Sequence, residues 1–370
     1  MAMSAVGVIF SNINEDKIAE LSRPRTMASI PFGGRYRLID FTLSNMVNSG
    51  ITTVGILTKN NYQSLMDHLG SGKDWDLARK AGGIILLPPY SDDSDSLYVN
   101  RLDALKGVTS FLKKRKEDYV VMADCDGVMR IDFSKVLQYH IEKNADITMV
   151  YHNETVVKQP YYMTFETNES GRIEEIAINP NVVGQTANVY SNIMIFNREF
   201  LLNIVMDAIT HGYSSFGRDI LTKNVKSLKL YGYRFDGYYA GMDSLLAYYK
   251  HSMELLNKDV RNELFGARDI YTKVRDSAPS KYGDEAKIRN SLVSDGCEIE
   301  GTVENSILFR GVKVAKGAIV RNSIIMQDTV IGENATVNCI ITDKNVVIRD
   351  RRNLSGCETL PFFLPKGSMV

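Results

Sequence analysis

No apolar run in the chain approaches the roughly 20 residues that a membrane-spanning helix needs. The start, Met1-Ala2-Met3-Ser4, lacks the basic-then-apolar order of a signal peptide. An excess of either charge is missing too. Lys plus Arg and Asp plus Glu both count 44 among 370 residues, so the formal net charge is zero. A nucleic-acid binder or a polybasic membrane anchor would carry a basic surplus. The four cysteines, Cys125, Cys297, Cys339 and Cys357, include no C-x-x-C pair. Neither a zinc site nor a disulfide framework follows, and buried or semi-buried thiols in a reducing compartment are expected. These absences leave a soluble, cytoplasmic protein whose length suits two domains.

What is present falls into two patterns. The first two-thirds alternates strand-like and helix-like segments. Ala5-Val6-Gly7-Val8-Ile9-Phe10 is an apolar run suited to a strand buried on both faces. Thr52–Leu57, Tyr119–Ala123 and Ile147–Tyr151 read the same way. Amphipathic segments lie between them, one starting near Tyr62 with Leu65, His68 and Leu69 on one face, another running from Leu102 to Lys114. This alternation predicts a Rossmann-like α/β domain with a mostly parallel sheet, whose ligands bind beyond the carboxyl ends of the strands.

The last quarter has a different rhythm. Aliphatic residues recur at steps of six with occasional fives: Leu308, Val314, Val320, Ile325, Ile331, Val337, then Ile348 after a gap at Thr342. Ile288, Val293 and Ile299 begin the series upstream. A six-residue period fits neither a helix nor a simple strand and predicts a left-handed parallel β-helix of hexapeptide repeats. The expected organisation is an α/β domain over 1–256, an exposed charged connector over 257–285 and the β-helix over 286–370.

Two segments carry a resemblance to a known family. Pro31-Phe32-Gly33-Gly34-Arg35-Tyr36-Arg37-Leu38-Ile39-Asp40-Phe41-Thr42-Leu43-Ser44-Asn45, continuing to Ile51, is similar to the stretch after the active-site loop of bacterial glucose-1-phosphate adenylyltransferases (ADP-glucose pyrophosphorylases). Ser215-Phe216-Gly217-Arg218-Asp219-Ile220-Leu221 and the hexapeptide repeats resemble that family as well. The resemblance implies a reaction in which glucose 1-phosphate attacks the α-phosphorus of ATP, giving ADP-glucose and pyrophosphate in glycogen biosynthesis. Such chemistry needs a glycine-rich loop whose amides approach the triphosphate, cationic side chains, and two aspartates holding magnesium.

The family's residues are largely replaced at the corresponding positions. The glycine-rich loop becomes Ser11-Asn12-Ile13-Asn14-Glu15-Asp16, read as a surface turn into a short helix capped by Asn14. Of the cationic pair, Arg25 remains but the lysine position holds Met27. The adenine-side motif becomes Asn100-Arg101-Leu102-Asp103-Ala104, with Arg101 in a position to take the nucleotide's place or to hold another anion. The lysine that meets the sugar phosphate is Asn179. One metal-binding aspartate is kept as Asp126, with Asp124 as a nearby alternative; the other becomes Gly241. Arg25, Met27, Arg101, Asp103, Asp126, Asn179 and Gly241 are therefore read as vestigial positions, with no catalytic residue and no metal of the chain's own. The resemblance is strongest to the degenerate GlgD-type paralogue. That implies a regulatory partner of a catalytic subunit in a heterotetramer, with Mg2+ and ATP held by that subunit; self-association is also open. The alternative is a sugar-1-phosphate nucleotidyltransferase of altered specificity. A hexapeptide acyltransferase would need a histidine in the β-helix, and none of the five histidines lies there.

Overall fold

Residues such as Val6, Val8 and Ile9 can all lose contact with water only in a strand covered on both faces, and each is fully buried. A computed structural model describes residues 4–13, 15–88, 98, 100–156, 163–180 and 183–370. The leader reading at Met1-Ala2-Met3 and the cap at Asn14 lie outside the described residues. The chain forms two compact units, one of Met1–Ile13, Phe41–Tyr62 and Leu69–Tyr239, the other of Asn14–Asp40, Gln63–His68 and Ala240–Val370.

The first unit is built on a nine-stranded sheet. Its parallel part is β1 (Ala5–Phe10), β2 (Thr53–Leu57), β3 (Gly83–Leu87) and β4 (Tyr119–Asp124), in the order β3-β2-β1-β4. Beyond β4 the sheet continues with β5 (Ile147–Thr155), β6 (Met163–Thr167), β7 (Ile173–Ile178), β8 (Thr186–Asn197) and β9 (Leu230–Arg234). The long strand β8 runs antiparallel to β4, β5 and β6. The sheet is thus parallel around β1 and mixed past β4, so the carboxyl ends of β1 and β4 lie side by side, with Phe10 opposite Asp124.

Helices cover this sheet where the apolar faces demand it. Helix α1 (Leu38–Asn48) brings Met46 so close to β1 that a side-chain carbon on Gly7 would lie 2.6 Å from its sulfur. Helix α2 (Gln63–Leu69), whose residues Gln63–His68 belong to the second unit, buries Leu65, His68 and Leu69, the face read from the sequence. The segment 102–114 departs from the expected single helix. It breaks at Val108 into α3 (Arg101–Gly107) and α4 (Thr109–Lys113), where Val108 leaves helical geometry at φ −105°, ψ 7°. Helix α5 (Phe133–Glu142) is capped by Asp132, and α6 (Arg198–Thr210) by Asn197.

The second unit contains three parallel sheets of five short strands each, the arrangement of a left-handed parallel β-helix. Residues on one face stack in register: Ile299, Val314, Ile331 and Ile348 form one column. Leu308, Val320, Ile325 and Val337 join them in a fully buried core, together with Val303. The gap at Thr342 is filled inward: its hydroxyl accepts from the Met326 amide at 3.0 Å. Asn290, Asn305 and Asn322 occupy successive corners with φ between 44° and 47°, a conformation asparagine tolerates better than most residues.

Three expectations need correction. The stretch 257–285 is not an open connector throughout. Helix α7 (Lys258–Phe265), capped by Asn257, buries Leu264 completely, and strand Lys281–Tyr282 already belongs to the first coil of the β-helix, ahead of residue 286. The dense charge of this segment masks its apolar spacing. Ser11 and Asn12 are not on the surface but buried, because the Ser11 hydroxyl donates to the Leu57 carbonyl at 2.7 Å and the Asn12 amide to that of Asn60 at 3.2 Å. Cys357 is exposed, whereas Cys125, Cys297 and Cys339 are buried.

Because the β-helix core is a column of stacked side chains, a cavity there has nothing to collapse onto it. Ile325→Ala should lower unfolding stability by about 2–5 kcal/mol, and Val330→Ala on the outer face by well under half of that. Urea unfolding of the two variants checks this.

Candidate functional site

The carboxyl ends of β1 and β4 hold a buried polar cluster. Asp124 closes β4, and its carbonyl accepts from the Thr42 hydroxyl of α1 at 3.2 Å. Arg101 is the first residue of α3, whose cap Asn100 accepts from the Asp103 amide. The Arg101 guanidinium reaches Asp124 at 2.6 Å, with the two side chains 13% and 3% exposed. It lies over the Phe10 ring at 5.4 Å and the Tyr190 ring at 6.0 Å. It also donates to the Tyr190 hydroxyl at 3.4 Å and to the Asn192 side-chain carbonyl at 3.5 Å. Burial works against its charge, but Asp124 more than offsets this, so the arginine is held protonated more firmly than in water.

Asn192 points both ways. Its amide nitrogen donates to the Asp126 carboxylate at 3.0 and 3.3 Å. The backbone explains its reach: β8 changes register between Tyr190 and Met194, and Asn192 sits there at φ 58°, as in a bulge that re-aims a side chain. Next to it, Ser191 and Glu154 flank His152, at 2.9 Å from Nδ1 and 2.8 Å from Nε2. Tyr239 stacks on the His152 ring at 3.9 Å, and its own ring packs so closely on Gly127 that a side-chain carbon there would lie 2.8 Å away. The cluster therefore closes on itself.

The sequence-derived positions separate accordingly. Arg101 and Asp126 belong to the cluster through Asn192. Asp103 faces away from it, bonded to Asn100 at 2.8 Å and Lys106 at 3.3 Å. Asn179 follows β7 at φ 53°. In the second unit, Gly241 ends the strand Tyr239–Gly241 and Met27 is buried in a 3-10 turn. Arg25, also buried, makes a two-pronged pair with Asp343 at 2.7 and 2.8 Å and donates to the Leu21 carbonyl. Sequence reading missed Phe10, Tyr190 and Asn192. The signal available was an asparagine immediately before the apolar run Ile193-Met194-Ile195-Phe196.

A divalent cation does not fit these donors. Asp124 is engaged by a guanidinium and Asp126 by an amide N–H, which competes for the oxygen lone pairs a magnesium ion would use. Among the described residues no three His, Cys, Asp or Glu side chains are grouped to hold a metal.

A second concentration of charge lies within the other unit. Arg35, Arg37, Lys273, Arg275, Arg310 and Lys344 line one cleft, with Asp67 and His68. Asp40 holds this wall together, accepting from the Arg37 amide at 2.9 Å and from His68 Nε2 at 2.6 Å. Burial keeps His68 neutral to lower pH than usual, against the pull of Asp40. Burial and the neighbouring Arg37 and Arg25 bring Lys344 down to about 7.

Two family models match: "Nucleotidyl transferase" over residues 15–258 and "GlmU-like, C-terminal hexapeptide" over residues 277–356. Curated relatives named glucose-1-phosphate adenylyltransferase are 34% identical, covering 93% of this chain and 93% of theirs. They include proteins of Bacillus thuringiensis (strain Al Hakam), Bacillus thuringiensis subsp. konkukian and Bacillus anthracis. The chain belongs to the glucose-1-phosphate adenylyltransferase family. Its nucleotidyltransferase fold places the Arg101 cluster at the sheet's carboxyl edge, the usual ligand end of such sheets. Among the described residues no helix is long and apolar enough to cross a membrane.

Lys344 gives a pH test. An unfolded lysine titrates near 10.5 and the folded one near 7, so between those values the unfolded chain binds more protons and stability rises with pH. The contribution is complete above the unfolded value and lost as pH falls through about 7. Lys344→Met should therefore flatten the rise in unfolding midpoint between pH 7 and 10 relative to the parent chain, as measured by urea titration at several pH values.

Proposed function

We propose that this chain is a non-catalytic, regulatory subunit of glucose-1-phosphate adenylyltransferase, acting in the cytoplasm on a catalytic subunit with which it forms a heterotetramer. The observation that carries this reading is the Arg101 guanidinium lying between Phe10 and Asp124, across the ends of the two strands from which the family's chemistry would be run. The segment after β1 supports it, since Ser11 and Asn12 bury their side chains where backbone amides would have to approach a triphosphate. Removing one preorganised transition-state donor costs about 10²–10³ in rate. Losses within one site do not simply add. Even so, a loop without glycine, Met27 for lysine, Asn179 for lysine and Gly241 for aspartate leave no source of rate enhancement.

Regulation on this reading means contact. The chain binds the catalytic subunit and shifts its conformational equilibrium by preferring one state. Mg2+ and ATP are held by the catalytic subunit. The cationic cleft of Arg35, Arg37, Lys273, Arg275, Arg310 and Lys344 supplies the charge to sense an anionic effector, consistent with an allosteric role. The alternative, independent sugar-1-phosphate nucleotidyltransferase activity, lacks a substitute for the phosphate loop.

The assay is direct. The chain alone should release no pyrophosphate from ATP and glucose 1-phosphate with Mg2+. Co-expressed with a catalytic subunit it should co-elute and change that subunit's maximal rate or its apparent substrate affinity. Activities that merely add, with no co-elution, exclude the partnership. Gly241→Asp alone should leave the chain inactive, because one restored carboxylate does not rebuild the loop.

A further inference from the structure

The structure assigns Arg101 the place of a resident counter-ion: a tethered guanidinium does for the Asp124/Asp126 pair what a bound divalent cation does in a two-carboxylate site. The inference concerns the same pocket as the function proposed above but not the partnership, and either can fail while the other stands.

The geometry begins with an unfavourable position. A cation at the first residue of a helix sits at the positive end of the backbone dipole. It is also largely withdrawn from water, with 13% of its side chain exposed. Neither burden is offset by the helix itself. Both are offset from the sheet, where Asp124 meets the guanidinium at 2.6 Å and the faces of Phe10 and Tyr190 lie beside it. One side chain from α3 thereby ties the ends of β1 and β4 to the bulge in the middle of β8.

Charge arithmetic points the same way. Asp124 and Asp126 stand two residues apart at one strand end, two carboxyl groups in formal charge count. Arg101 supplies one positive charge, and Asn192 couples the halves, its carbonyl facing Arg101 and its amide nitrogen facing Asp126. The chain Asp124–Arg101–Asn192–Asp126 is thus a linear array in which each acid has a donor built into the protein. A metal ion would have to displace both donors. Without Arg101, the two acids and the space of a guanidinium would remain, and a small cation could take it.

Thermal unfolding of the full chain with and without added cation tests this. The parent chain should not shift its midpoint with MgCl2 or MnCl2. Arg101→Ala should lower the midpoint by on the order of 10 °C, since a buried carboxylate loses its cation. Part of that loss should return on adding MgCl2, MnCl2 or guanidinium at sub-denaturing concentration. Asp124→Asn in the Arg101→Ala background should restore most of the midpoint and remove the response to cations. If Arg101→Ala cannot be purified, the double variant decides: a folded double variant supports the inference and an unfolded one overturns it. A parent chain stabilised by Mg2+, or an Arg101→Ala chain as stable as the parent or indifferent to cations, overturns it as well.

Discussion

A guanidinium taken out of water must meet a carboxylate, and the ends of β1 and β4 are organised by that requirement. Breaking such a pair by removing one partner is strongly destabilising, because the charge left behind has lost its solvent and its counter-ion together. The Arg101–Asp124 contact therefore fixes more than two side chains. It sets the first turn of α3 against the sheet, and with Asn192 it sets the orientation of Asp126. The bulge that lifts Asn192 out of the strand pattern makes sense only as part of this array.

The second unit repeats the logic in a different setting. Arg25 occupies a position that the family resemblance associates with phosphate chemistry. Here it is buried against Asp343, a residue of the β-helix, with Met27 buried two residues later. The pair joins the segment 14–40 to the β-helix within one unit. Two helices that precede the β-helix hold the same segment: Tyr248 donates to the Pro31 carbonyl at 2.7 Å, and Phe265 stacks on Tyr36 at 5.2 Å. Residues at positions that the resemblance assigns to the chemistry are thus engaged in tertiary structure, whereas the cations of the cleft, Arg35, Lys273 and Arg275 among them, line an opening.

The fold was legible wherever hydrophobic periodicity was strong. The run Ala5–Phe10 is β1 to the residue, and the six-residue series marks the buried core of the β-helix from Ile299 onward, whereas its first member, Ile288, is 39% exposed. Legibility fell where tertiary context outweighs local pattern. Val108 looks helical in sequence yet breaks a helix. The charged stretch after Asn257 hides Leu264, the fully buried apolar residue of a short helix. Ser11 and Asn12 look like surface residues until the carbonyls of Leu57 and Asn60 come into view, and those belong to a distant part of the chain. The cluster was half legible for the same reason. Arg101 stood out against a known motif, but Asp124 and Asp126 were read as alternative metal ligands and not as its partners. The pairing depends on α3 and β8, which meet β4 only in three dimensions.

On the proposed function, a regulator built this way would gain independence from the substrates of the enzyme it acts on. Coupling between sites is reciprocal: whatever a ligand does to an interface, the interface does to the ligand. Were the pocket at β1 and β4 open to ATP and Mg2+, the bias this chain exerts would vary with both, because binding would favour whichever conformation closes around them. On the same reading, the Arg101–Asp124 pair at the strand ends would remove that dependence, and any response to small molecules would be left to surfaces such as the cationic cleft. On the proposed function, Arg101 serves the steady bias, while the chemistry is lost with the glycine-free loop, Met27, Asn179 and Gly241 together.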